Sequence, residues 1–167
     1  MVRHRSNSVY PLSPAEVRDE GVDALFLVWL VSRSTEDLVD SVLAPVGLVA
    51  DEFAIYSVLD GAEGITPSDL ARWMAAPATT VSSYLKRFES RGHVAREPNP
   101  DDRRSYLIRL TPAGRRAHRA AVALFRPVRG QVADALAEHD GDVREALMRL
   151  RAVVDGLRGN AVQVERR

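Results

Sequence analysis

The chain has 167 residues, 46% of them apolar, with 23 basic and 23 acidic residues and no cysteine. That length and composition suit one compact subunit with its own core. The lack of cysteine excludes disulfides, thiolate catalysis and thiol redox sensing, and makes the cytoplasm the expected compartment.

The zero formal net charge hides an asymmetry. Between Thr66 and Arg116 ten basic residues stand against five acidic ones, leaving +5 in the middle of the chain and −5 in its flanks. A basic middle with acidic flanks points to a polyanionic partner.

Residues 1–13 hold basic and polar residues without an apolar stretch, so they read as a loose arm and not as a signal peptide. From Pro14 to about Pro45 the pattern is helical, with Leu25, Val28, Trp29, Val39, Val42 and Leu43 on one side and Pro45 as the stop. The apolar run Ala24–Val31 falls far short of the about 20 residues needed to cross a bilayer, so no membrane partner is expected. A second helix follows, with Phe53, Tyr56 and Val58 among its apolar positions and Gly61 and Gly64 at its end. The third has the clearest start signal: Thr66 as N-cap, Pro67 at N1, Asp69 at N3, and Ile65 and Leu70 placed as a hydrophobic staple.

In the segment PATTVSSYLKRFESRG, Val81, Leu85 and Phe88 recur at helical spacing as a stripe for burial, with Tyr84 at its border. Thr79, Thr80, Ser82 and Ser83 crowd its first two turns and Lys86 and Arg87 follow. Helix propensity does not explain so many hydroxyls. A helix entering a DNA major groove does, because small donors and acceptors approach bases and phosphates closely there. Two helices joined by a short turn, the second polar outside, make a helix-turn-helix. Gly92 then ends the helix. An alternating strand with Tyr106, Ile108 and Leu110 on one face returns from the loop Pro98 to Ser105, whose tip carries arginines. The expected architecture is therefore mainly α with a small β wing: a winged helix-turn-helix over residues 46–114, flanked by dimerisation helices at 14–45 and 115–167.

In that last region Pro112 starts a long helix running to about Glu138, with Pro127 expected to bend it. Val143, Leu147, Leu150, Val154 and Leu157, spaced four, three, four and three apart, form a heptad seam on the final helix. Such a seam either docks on its own core or pairs with a second copy. Pairing is the preferred reading, since symmetric helix-turn-helix dimers read two half-sites about one helical turn apart.

The span Ile65–Gly114 resembles the MarR (multiple antibiotic resistance regulator) family of winged-helix transcription factors. TPSDLA matches its helix opening, TTVSSYLKRFESRGHVAR its recognition helix and first wing strand, and DDRRSYLIRLTPAG its wing signature. The resemblance implies a homodimer on double-stranded DNA, usually a repressor on a pseudo-palindromic operator. It assigns Asp102 to shaping the wing tip and Arg104 to the minor groove. Arg103 is then expected at phosphate and Ser68 near the DNA backbone. Thr79, Thr80, Ser82, Ser83, Lys86 and Arg87 would face the major groove. Two positions depart from the family pattern: Ser83 stands where arginine is common, and His93 where an aliphatic residue is usual. His93 reads as a structural histidine in preference to the alternative, a sensor of protons or of a ligand.

The family resemblance also implies a small aromatic or phenolic effector between dimerisation helices and DNA-binding lobe, for which Trp29, Arg33, Tyr56 and Trp73 are candidates. His4, His93, His118 and His139 are widely spaced, so no metal site is expected. No phosphate-binding glycine loop or nucleophile pattern suggests an enzyme or a cofactor. The alternative is a winged-helix module that binds proteins or small molecules without reading DNA.

Overall fold

The computed structural model describes residues 23–164, with side chains to Arg158. Its elements are α1 (Ala24–Leu43), a 3-10 turn (Ala44–Val46), α2 (Ala50–Gly61), α3 (Pro67–Trp73), α4 (Ala78–Ser90), β1 (Val94–Pro98), β2 (Tyr106–Leu110), α5 (Pro112–Leu136), a second 3-10 turn (Ala137–His139) and α6 (Asp140–Val164). The arm at 1–13 and the expected helix start at Pro14 lie outside the described residues.

Asp23 caps α1 by accepting the Phe26 amide at 2.9 Å. The sequence places Leu25, Val28 and Trp29 on the same packed side as Val39 and Leu43, but only Val39 and Leu43 are buried, while Leu25 is 57% and Trp29 56% exposed. The core reaches only the last turns of α1, and the large apolar side chains of its first half stay exposed among the described residues.

That core joins Leu43 to Ile55, Tyr56 and Leu59 of α2, Leu70 of α3, Val81, Leu85 and Phe88 of α4, and Ile108 and Leu110 of β2. The apolar stripe of α4 is thus the surface that holds it to the body, which turns its opposite face outward. The two strands pair antiparallel from Val94 with Leu110 to Pro98 with Tyr106. Ile65 adds a one-residue bridge to Ile108, tying the wing's second strand to the start of α3.

Thr66 caps α3 as expected, accepting the Asp69 amide at 3.1 Å. Helices α3 and α4 end in the same way. The Ala76 amide donates to Ala71 and Ala75 to Arg72; the His93 amide donates to Phe88 and Gly92 to Glu89. Both are Schellman endings that need a left-handed residue. Gly92 supplies it at φ 67°, but at the other end Ala75 takes φ 52°.

Thr111 caps α5, accepting the Gly114 amide at 3.1 Å and donating to the Gly92 carbonyl at 2.6 Å. Pro127 sits inside α5, which continues to Leu136. Helix α6 reaches back toward the helix-turn-helix: Arg151 Nη2 donates to the Trp73 carbonyl at 3.2 Å and Arg158 Nη2 to that of Ala75 at 3.0 Å. These carbonyls belong to the end of α3, where helical dipoles leave partial negative charge. Among the described residues no single helix is long and apolar enough to cross a membrane.

Candidate nucleic-acid interface

Helical spacing divides α4 into four strips. Val81, Leu85 and Phe88 face the core. Thr79, Ser83, Lys86 and Ser90 form the outward strip, and all four are exposed. Ser82 and Glu89 lie toward the wing, where Glu89 accepts two hydrogen bonds from Arg96 of β1. Tyr84, Arg87 and Arg91 lie toward α2. Of the hydroxyls singled out in the sequence, Thr79, Thr80, Ser82 and Ser83 are exposed on the first turns, although Ser83 Oγ turns back to donate to the Thr79 carbonyl at 3.0 Å. Ser68 is exposed on the first turn of α3.

The α2-facing strip is built around Glu52, a side chain that sequence reasoning missed. Its carboxylate is 2% exposed and accepts from Arg87 at 2.9 Å and from Arg91 at 2.9 Å, one arginine on each oxygen. A carboxylate leaves water only with such partners. Glu52, Ile55, Tyr56 and Leu59 are all buried at i, i+3, i+4 and i+7 spacing, so an acidic residue on the apolar stripe was the available signal. Arg87, expected at the major groove, is thereby held on the flank of α4 with its guanidinium 5.3 Å from the Tyr84 ring. Tyr84 donates to Asp51 at 2.6 Å, and that hydrogen bond, aided by burial, pushes its pKa up to about 12.

Beneath this strip the Tyr56 hydroxyl meets His93 Nδ1 at 2.8 Å. Burial, then the charge of Arg91, lower the His93 pKa below the usual imidazole value. Burial raises that of the Tyr56 phenol. Both act as neutral structural groups.

At the wing tip the Asp102 carboxylate accepts the Arg104 amide at 2.9 Å and its carbonyl accepts the Ser105 amide at 2.9 Å, which curls the loop and leaves Arg103 and Arg104 exposed. Asn99 accepts the Asp101 amide at 3.0 Å on the other limb. The strands below are braced by Arg109 with Glu97 at 2.7 Å and by Arg96 over the Tyr106 ring at 4.5 Å.

Ion pairing sorts the ten basic residues of the middle segment. Arg72, Arg87, Arg91, Arg96 and Arg109 each hold a carboxylate. Arg115 donates to the Leu110 carbonyl at 2.7 Å. Lys86, Arg103, Arg104 and Arg116 form no salt bridge among the described residues, and the first three belong to the outer strip of α4 and the wing tip.

The four effector candidates are not alike. Tyr56 is fully buried and committed to His93, so it belongs to the core and does not line an accessible site. Trp29 and Arg33 are exposed on α1, where Trp29 stacks on Phe26 and Arg33 pairs with Glu36 at 2.6 Å. Trp73 is half-exposed at the end of α3, with the Arg151 guanidinium 5.9 Å from its ring centroid. Among the described residues no His, Asp or Glu side chains gather in a group of three or more able to hold a metal ion.

The model of the MarR family matches residues 50–105, the stretch from the start of α2 to the wing tip. The multiple antibiotic resistance protein MarR of Salmonella typhimurium is 30% identical over 88 residues, which is 53% of this chain and 61% of that protein. The chain thus spans about three fifths of the length of the curated relative it matches. The fold is similar to that of the Mycobacterium tuberculosis transcriptional regulator MOSR in complex with DNA, at 27% identity and a TM-score of 0.71, covering 82% of this chain and 99% of that one. It is also similar to an Escherichia coli MarR mutant complexed with operator DNA, at 25% identity and a TM-score of 0.66, covering 74% of this chain and 89% of that one. In sequence over residues 50–105 and in fold, from the buried stripe of α4 to the curled wing tip, the chain is similar to the MarR family of winged-helix proteins.

Proposed function

We propose that the chain is a cytoplasmic, sequence-specific DNA-binding transcriptional regulator, acting as a homodimeric repressor on a pseudo-palindromic operator. One observation carries the reading: the outer strip of α4 and the tip of the wing hold Lys86, Arg103 and Arg104 with no carboxylate partner among the described residues, while Arg72, Arg87, Arg91, Arg96 and Arg109 are each paired with one. Thr79, Thr80, Ser82, Ser83 and Lys86 then meet the major groove and its phosphates, and Ser68 the adjoining backbone. Arg104 enters the minor groove, Arg103 meets phosphate and Asp102 keeps the tip curled. Arg87 borders the groove from the flank.

The dimer reading is supported by apolar surface that one copy leaves bare: Leu25, Leu27 and Val31 on α1, and Leu147, Met148 and Leu157 on α6. A second copy is the occupant that covers both helices and sets two recognition helices at a fixed spacing. A small aromatic or phenolic effector would meet the exposed Trp29, Arg33 and Trp73. It releases DNA only by preferring a dimer geometry that no longer matches the half-sites.

Selection from a pool of random duplexes at about 50 mM salt tests the reading. An inverted repeat with half-sites about one helical turn apart, bound by a species that sediments as a dimer, is the expected result. A folded protein that retains no duplex overturns it in favour of a module that does not read DNA.

A further inference from the structure

We propose that Glu52 is a specificity determinant: it withholds two recognition-helix arginines from DNA phosphate and so keeps the protein from gripping DNA of any sequence. The inference rests on the DNA-binding reading above. Arg87 and Arg91 lie on one side of α4, and both guanidiniums end on the same buried carboxylate, at 2.9 Å each. Their side chains remain 50% and 35% exposed, so the ion pair is what restrains them from an approaching backbone. Phosphate contacts by free arginines add affinity that does not depend on sequence. An arginine tied to a carboxylate must give up that partner before it can reach a phosphate. Glu52 therefore trims the sequence-independent attraction of α4 and leaves discrimination to the outer strip. The same bonds fix the angle of α4 against α2, because Glu52 comes from the first turn of α2 and its two partners from the last turns of α4 and its cap. Glu52 touches no base; it acts through Arg87 and Arg91 as a positioning residue.

The experiment compares wild type with Glu52→Gln on two probes, the duplex recovered by selection and a mixed-sequence duplex of equal length, across a range of salt. Glu52→Gln should tighten mixed-sequence binding about tenfold at low salt. It should also steepen the fall of log affinity with log salt by about 0.9 for each arginine released. The ratio of selected to mixed affinity should drop. Glu63→Gln makes the same change of net charge without releasing an arginine, and should leave the slope where it is. A folded Glu52→Gln protein whose mixed-sequence slope is unchanged or shallower overturns the proposal.

If Glu52→Gln does not fold, Arg91→Gln decides alone: a silenced Arg91 predicts an unchanged mixed-sequence slope, and a loss of about 0.9 per protomer would show that Arg91 already reaches phosphate. Wild type that binds neither duplex contradicts the DNA-binding reading itself, which separates that failure from this one.

Discussion

The carbonyl oxygen of His93 occupies the space that a Cβ on Gly114 would need. The first turn of α5 is pressed against the start of the wing, and the obstructing atom is backbone that cannot swing aside. Gly114→Ala should therefore lower stability by about 2 kcal/mol or more, in the range of other steric insertions. Gly130, also inside α5, has nothing within 4 Å of an added Cβ. Gly130→Ala should raise stability by about 0.5–1 kcal/mol. Urea unfolding of the two variants at equal protein concentration measures both, and equal effects would contradict the close approach of His93 to Gly114.

The two Schellman endings make a matched pair. Ala75 holds a left-handed backbone that costs a side-chain-bearing residue about 1–2 kcal/mol, a cost partly offset because alanine loses less unfolded-state entropy than glycine. Ala75→Gly should stabilise by about 0.5–1 kcal/mol, whereas Gly92→Ala should destabilise by a similar amount. Opposite shifts in melting temperature are the signature.

A pH effect follows from His93. An imidazole in the unfolded chain titrates near about 6.5. Burial and the charge of Arg91 lower the folded value. As pH falls through about 6.5 the unfolded chain takes up a proton that folded His93 refuses, so this contribution to stability is complete above that pH and lost below it. The groups around the ring are Arg91, Glu52 and Tyr56, and the last shares a hydrogen bond with it. His93→Gln should reduce the difference in unfolding free energy between about pH 7.5 and about pH 5.5. A variant with the full wild-type difference would mean that another group titrates.

Paired and unpaired cations should behave differently on DNA. Lys86→Ala or Arg104→Ala should lower operator affinity and reduce the salt slope by about 0.9 per protomer for each phosphate no longer neutralised. Replacing Arg96, which is committed to Glu89 and stacked on Tyr106, should cost hairpin stability and leave the slope nearly unchanged. Fluorescence anisotropy over a salt series distinguishes the two classes.

Local signals made much of this legible in the sequence. The cap at Thr66, the stripe of Val81, Leu85 and Phe88, and the alternation that buries Ile108 and Leu110 all lie within short windows, and each appears where spacing places it. What escaped depends on residues far apart in the chain. Glu52 looks like a solvated acid until residues 35 and 39 positions downstream fold onto it. Tyr56 looks like a ligand-box aromatic until Phe88 packs against its ring at 4.6 Å and His93 meets its hydroxyl. The count of ten cations likewise says nothing about how many are already matched, because Arg96 finds Glu89 and Arg109 finds Glu97 only once the hairpin has folded.

The arginines that α6 sends to the end of α3 tie the far end of the molecule to the corner that precedes α4. Any torque on α6, from a neighbouring copy or from a compound wedged beside Trp73, must either break both bonds or drag that corner along. Two arginine side chains thus link the long C-terminal rod to the turn that sets where α4 begins.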